Sequence, residues 1–152
     1  MNHACVQSAS CTTLTQLGAS VDAYAGNPGT PAPPAGGTIA NGKYVLTGLK
    51  LYGTPNVPGQ KVAVYGKHTI EVTATTVAQI TTEPDSAETR MKSTYTKSGT
   101  NLVLTRTCTQ PGNGSPTAVT LSFSATPTTL TLYEVQATQP VLQTTELIFT
   151  KQ

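Results

Sequence analysis

The sequence predicts an all-β chain: an antiparallel up-and-down meander β-barrel of about eight strands, with a short helix at its N-terminus. Three observations carry this. First, threonine supplies about one residue in five; it is β-branched, so it favours extended backbone, and its hydroxyl tolerates water. Second, short apolar alternations follow one another between turn residues, without the long crossover that parallel pairing needs. Third, one design occurs twice. Tyr95 to Arg106 and Phe123 to Glu134 each run from an aromatic residue through a turn to a Leu-x-Leu pair, Leu102/Leu104 in one copy and Leu130/Leu132 in the other. Two such copies read as two hairpins of one sheet, and a meander protects its edges by closing on itself.

Taken in order, Leu14, Leu17, Val21 and Tyr24 recur at helical spacing, with Thr12 or Thr13 as the cap and Gly26 and Pro28 as the stop. This predicts an amphipathic helix that lies on the sheet or plugs one end of it. Gly26 to Gly37 carries four prolines among glycines and reads as an exposed, semi-extended linker. It divides an N-terminal part, 1–38, from a sheet domain over 39–152. Within that domain Lys43–Tyr52 is the first strand, and Val57–Gly66 is a loop or edge strand. His68–Thr82 is one long strand with Ile70, Val72, Ala74, Thr76, Ala78 and Ile80 on one face. Turns at Glu83–Ser86 and Lys97–Thr100 frame a strand over Glu88–Thr96, and Leu102–Cys108 follows. Strands around Val119–Phe123, Thr129–Gln136 and Thr144–Lys151 complete the set. The expected core includes Leu102, Leu104, Leu121, Phe123, Leu130, Leu132, Leu147 and Phe149.

Composition narrows the function classes. The 152 residues suit one domain with one core. A net charge of +2 is too small to recruit nucleic acid or an acidic membrane. The lysines around Tyr65, and Arg90, Lys92 and Lys97, read as solvated, without the interleaved aromatics of a single-strand binder. No stretch is long and apolar enough for a membrane helix. No nucleophile elbow, phosphate-binding glycine loop or zinc spacing is present, so no cofactor is expected. His3, Cys5 and Cys11 lack a fourth ligand for a metal, and Asn113-Gly114-Ser115 reads as a turn rather than a glycan acceptor. Low charge and three cysteines suggest an exported chain, secreted, periplasmic or on the cell surface, its export signal removed, with one disulfide and one leftover thiol.

Gly42-Lys43-Tyr44-Val45-Leu46-Thr47, the Tyr-Thr-x-Ser-Gly-Thr-x-Leu-x-Leu-Thr hairpin from Tyr95, its second copy, and the ending Leu147-Ile148-Phe149-Thr150-Lys151 together resemble small secreted bacterial lipocalin-like (calycin-type) barrel proteins. The resemblance covers roughly residue 39 to the C-terminus. It departs from the family at the first strand, which has no Gly-x-Trp; the chain contains no tryptophan. It implies a barrel interior in which Tyr44, Tyr95 and Phe123 line a ligand cavity, although a filled barrel would use the same residues as core. Tyr133, on the other face from Leu132, is expected to be exposed.

Arg106 and Glu134 are the candidate site. Each stands two residues beyond its Leu-x-Leu pair, on the face expected inward, where a charge is costly unless paired or met by a polar ligand. Either they form a polar rim that orients a ligand, with Arg106 taking an anionic group, or they neutralise each other or reach solvent. Cys108 continues the Leu102, Leu104, Arg106 series towards the inward or end-facing side. A Cys11–Cys108 bond would dock the helix on the barrel and leave Cys5 free; a local Cys5–Cys11 loop is the alternative. Three functions follow: a secreted barrel that binds an apolar or amphipathic small molecule, a threonine-rich β-sandwich that serves as an adhesive or structural module of the cell surface, or an enzyme using the barrel cavity.

Overall fold

Alternating side chains and threonine-rich turns build nine strands in the computed structural model, which describes residues 11–26, 30–53, 57–112, 116–138 and 141–152. They are β1 (Val21–Ala25), β2 (Gly42–Tyr52), β3 (Lys61–Val72), β4 (Thr76–Thr82), β5 (Thr89–Ser98), β6 (Asn101–Gln110), β7 (Ala118–Ala125), β8 (Thr129–Thr138) and β9 (Val141–Lys151). From β2 onward each strand pairs antiparallel with the next, and β9 pairs back on β2, so eight strands close into a ring in sequence order. The meander is therefore as the sequence predicts.

The ninth strand, β1, is a wedge. β2 and β3 pair directly only over Gly42–Val45 and Thr69–Val72; beyond that they part, and β1 lies between them. Ala23–Ala25 run parallel to Leu49–Leu51 of β2, while Val21–Tyr24 run antiparallel to Lys61–Gly66 of β3.

The expected N-terminal helix is absent. Residues 12–20 cross the outside of the ring without regular structure before entering β1. Leu14 is buried against Ala78 and Ile80, whereas Leu17 and Tyr24 of the same supposed stripe are 50% and 43% exposed. The backbone bonds a helix would make internally are replaced by bonds to the sheet. The Thr69 hydroxyl accepts from the amides of Leu17 (3.0 Å) and Gly18 (3.2 Å) and donates to the Gln16 side-chain oxygen. Arg90 donates to the carbonyls of Thr12 (2.9 Å) and Leu14 (2.8 Å), so it is a clamp rather than a solvated charge. Weak helix propensity in a threonine-bearing segment yields to these partners.

The long strand expected over His68–Thr82 is two strands. Thr73 N–H donates to the Thr76 carbonyl (2.9 Å), and its hydroxyl accepts from Thr76 N–H (3.0 Å). This closes a two-residue turn after which the alternation restarts in opposite phase. Ile70 and Val72 face inward before the turn and Val77 after it, so Ala78 and Ile80 face outward, under Leu14. Thr126-Pro127-Thr128-Thr129 is the same device: Thr126 N–H donates to the Thr129 carbonyl (2.9 Å) and its hydroxyl accepts from Thr129 N–H (3.0 Å). Conversely, Lys61–Tyr65, expected as loop or edge, is continuous with β3. Gly66 makes that possible at φ +111°, where a Cβ would stand 2.3 Å from the Thr82 carbonyl oxygen.

A disulfide joins Cys11 to Cys108, with Cα atoms 5.6 Å apart. Cys108 does not continue the inward series. Ser93 pairs with Arg106 but Lys92 pairs with Cys108, so Thr107 is an extra residue on β6. That bulge reverses the phase and turns Cys108 to the outer face, where the N-terminal segment runs. The bond thus fastens an extended strap instead of a helix; Cys5 lies outside the described residues. The proline-rich stretch is not free over its second half: Gly36 bridges to Ser124, Gly36 N–H donates to the Phe123 carbonyl (2.8 Å), and Ile39 is buried in the core.

Candidate functional site

The ring interior is filled at one end and hollow at the other. The filled end begins with side chains that register brings to one level: Tyr44 opposite Ile70, Leu46 opposite Phe149, Leu130 opposite Phe149, Val72 opposite Val77. Tyr44, Phe123 and Phe149 have no exposed surface, and the Tyr44 hydroxyl donates to the Ala40 carbonyl (2.6 Å). Ile39 packs into the same cluster.

Two to four residues along β3 to β9 the packing stops, and a cavity of about 390 Å³ remains. Its apolar wall is Leu104, Leu121, Leu132, Leu147, Val119 and Met91; its polar groups include Arg106, Glu134, Tyr65, His68 and Gln79. Exposed residues Glu83, Ser86, Ala87 and Thr117 form its rim. Leu102, Leu121, Phe123, Leu130, Leu147 and Phe149 are buried as expected. Leu104 and Leu132 are only half-buried, because the void is their neighbour on the inner side.

Burial sets the charge states here. The Glu134 carboxyl is held above its ordinary range by desolvation. The Tyr65 hydroxyl is pushed up to about 12, first by burial and then by the carboxylates of Glu134 and Glu83. His68 is pulled down to about 4 by burial, against a smaller upward pull from its bond to Gln79. Gln79 donates its amide N–H to the Met91 sulfur (3.2 Å) and meets His68 Nε2 through its oxygen (3.1 Å). Sulfur can only accept, so the Gln79 oxygen accepts from His68 Nε2–H. The neutral imidazole packs edge-on to Phe149 at 5.1 Å, and its Nδ1 is buried without a partner.

Arg106 and Glu134 both line this cavity, and no ion pair joins them; the ion pairs among the described residues are Lys61–Asp22 and Arg90–Glu88. Arg106 Nε is buried with no hydrogen-bond partner. The three aromatic candidates lie elsewhere. Tyr44 and Phe123 belong to the packed layer, and Tyr95 is half-buried against it with its hydroxyl on the Thr73 carbonyl (2.8 Å); none lines the cavity. All five share the inward face, and only register assigns each a height along the ring. Tyr65, His68, Gln79 and Met91 escaped the sequence reading. The first two sit on opposite sides of the Gly66 kink, which breaks simple alternation; unbroken alternation from Ile70 to Ile80 sets Gln79 on the opposite face, and the turn at Thr73 reverses that phase.

On the outer face the Tyr52 hydroxyl donates to the Glu146 carboxylate (2.9 Å), and burial followed by that bond pushes Tyr52 up to about 12. Tyr133, paired with Glu146 across β8 and β9, is buried there at 7% exposure rather than exposed.

No protein-family model matches the chain, and neither a curated protein nor a solved structure is significantly similar to it.

Proposed function

We propose that this chain is a small lipocalin-like β-barrel, exported from the cell, that holds an apolar or amphipathic small molecule in the hollow end of its ring. The observation that carries the reading is Arg106, whose buried Nε has no hydrogen-bond partner, on the wall of a leucine-lined cavity. A cationic N–H held away from water without an acceptor is costly, and an anionic ligand group offsets that cost. The volume, about 390 Å³, falls within the roughly 300–1,000 Å³ of small-molecule sites. Glu134, being shifted towards its protonated form, opposes such an anion less than an ordinary carboxylate would. A long-range disulfide supports an oxidising compartment.

Native mass spectrometry of the purified protein, followed by solvent extraction, tests the reading by looking for a bound small molecule. An apolar fluorophore bearing a sulfonate then reports affinity. Arg106→Met should weaken it about 10-fold or more, the range for losing a charged hydrogen bond. A cavity that takes up neither a native molecule nor the dye, or an unchanged affinity in the variant, would refute the assignment.

A further inference from the structure

The ring is incompletely zipped between β7 and β8. Their pairing runs from Ser122–Tyr133 to Ala125–Leu130, all towards the filled end. Beyond it Ala118–Leu121 stay with β6, Glu134–Thr138 stay with β9, and no pairing joins the two edges. The backbone phase follows from Phe123, whose N–H donates to Thr100 and whose carbonyl accepts from Gly36; its peptide groups therefore point away from β8. Alternation turns those of Ser122, Thr120 and Ala118 towards β8, and, from the Ser122–Tyr133 pair, those of Val135 towards β7. Ala118, Thr120 and Val135 thus present backbone donors and acceptors to a slot, unpaired on that side among the described residues. Val119 and Val135 flank it at 43% and 67% exposure, and Val119, Leu121, Leu132 and Glu134 connect it to the cavity behind.

The same ring shows what such a slot accommodates. β2 and β3 part in the same manner, and β1 fills the space, parallel to one and antiparallel to the other. We propose that the slot between β7 and β8 binds an extended peptide segment of a partner protein, added as a strand between the two edges with alternate apolar side chains entering the cavity. Two facing strand edges require donors and acceptors on both sides at strand spacing, which a polypeptide backbone supplies and a small apolar molecule does not. This site does not depend on the small-molecule reading of the cavity.

Backbone amide hydrogen exchange, read by NMR on the full disulfide-bonded chain, tests it with a capped, lysine-flanked peptide of alternating threonine and valine. The amides of Ala118, Thr120 and Val135 should exchange freely in the protein alone and slow by about tenfold or more on saturation with the peptide. A peptide N-methylated at alternate residues, which cannot bond to both edges, should give no protection. Thr120→Pro removes an N–H on the slot side and leaves the β6 side of the strand intact, so it should abolish protection at Val135 while Leu121 stays protected. Unchanged exchange at saturating peptide overturns the proposal. So does slow exchange in the protein alone: independent of concentration, it shows the slot closed by the chain itself; rising with concentration, it shows a second copy as the occupant.

Discussion

Replacing both Cys11 and Cys108 with serine removes a cross-link spanning 97 residues of sequence. In the folded protein the strap keeps its other attachments, Leu14 on Ala78 and Ile80 and the Arg90 bonds to Thr12 and Leu14, so the native conformation loses little. The effect falls on the unfolded chain, which gains the freedom of an opened loop. For that loop length the chain-entropy relation gives about 4–5 kcal/mol. At roughly 2–4 °C per kcal/mol for a chain of this size, the melting temperature should drop by roughly 8–20 °C. Urea denaturation measures the change directly, and the slope of stability on urea should rise because the uncross-linked unfolded state exposes more surface. A loss below about 1 kcal/mol, far under the loop-closure value, would refute the reasoning. So would a peptide map of the native protein, prepared without reductant, in which Cys108 is a free thiol.

Three further outcomes follow from the interior and the turns. Arg106→Met and Glu134→Met should be close to additive, coupled by less than about 1 kcal/mol in a double-mutant cycle, because no ion pair joins the two; strong coupling would mean that they neutralise each other. His68 titrates near 6.5 when unfolded and near 4 when folded, so below pH 6.5 the unfolded chain takes a proton the folded one refuses. Stability should therefore fall by about 3 kcal/mol as pH drops through that window; Glu134 acts with opposite sign, so the comparison is the pH slope of the native protein against His68→Gln, which should be shallower. Thr73→Ala and Thr126→Ala each remove a hydroxyl that accepts from a turn N–H, and each should cost about 1 kcal/mol in thermal unfolding; a negligible loss at both would show that the hairpins close without the hydroxyls.

Strand existence, sequence-order pairing and the identity of most inward leucines were legible in the chain, because they rest on local alternation and on short turns. The Tyr95–Arg106 and Phe123–Glu134 repeat places Leu102 and Leu130 in the core and Arg106 and Glu134 on one cavity, as the alternation requires. Phase was less legible. A two-residue turn inside a run that alternates without a break, Ile70 to Ile80, moves Ala78 and Ile80 to the outside, and the extra residue at Thr107 does the same to Cys108. The repeated Thr-x-Thr-Thr at Thr73 and Thr126 marks such a turn, and was readable as one.

What only the tertiary structure decided is the height of each side chain along the ring and the conformation of the N-terminal segment. Tyr44, Phe123 and Arg106 obey the same alternation, yet two are sealed in the packed layer and one stands on the void; strand register, fixed jointly by all eight strands, separates them. Leu14, Leu17, Val21 and Tyr24 carry a helix period, but the separated edges of β2 and β3 and the Thr69 hydroxyl offer the backbone better partners than its own turns. Local periodicity reports which side chains can share a face. The partners that choose among the conformations compatible with that period lie about fifty or more residues away, at Thr69 and Arg90, and become neighbours only when the ring closes.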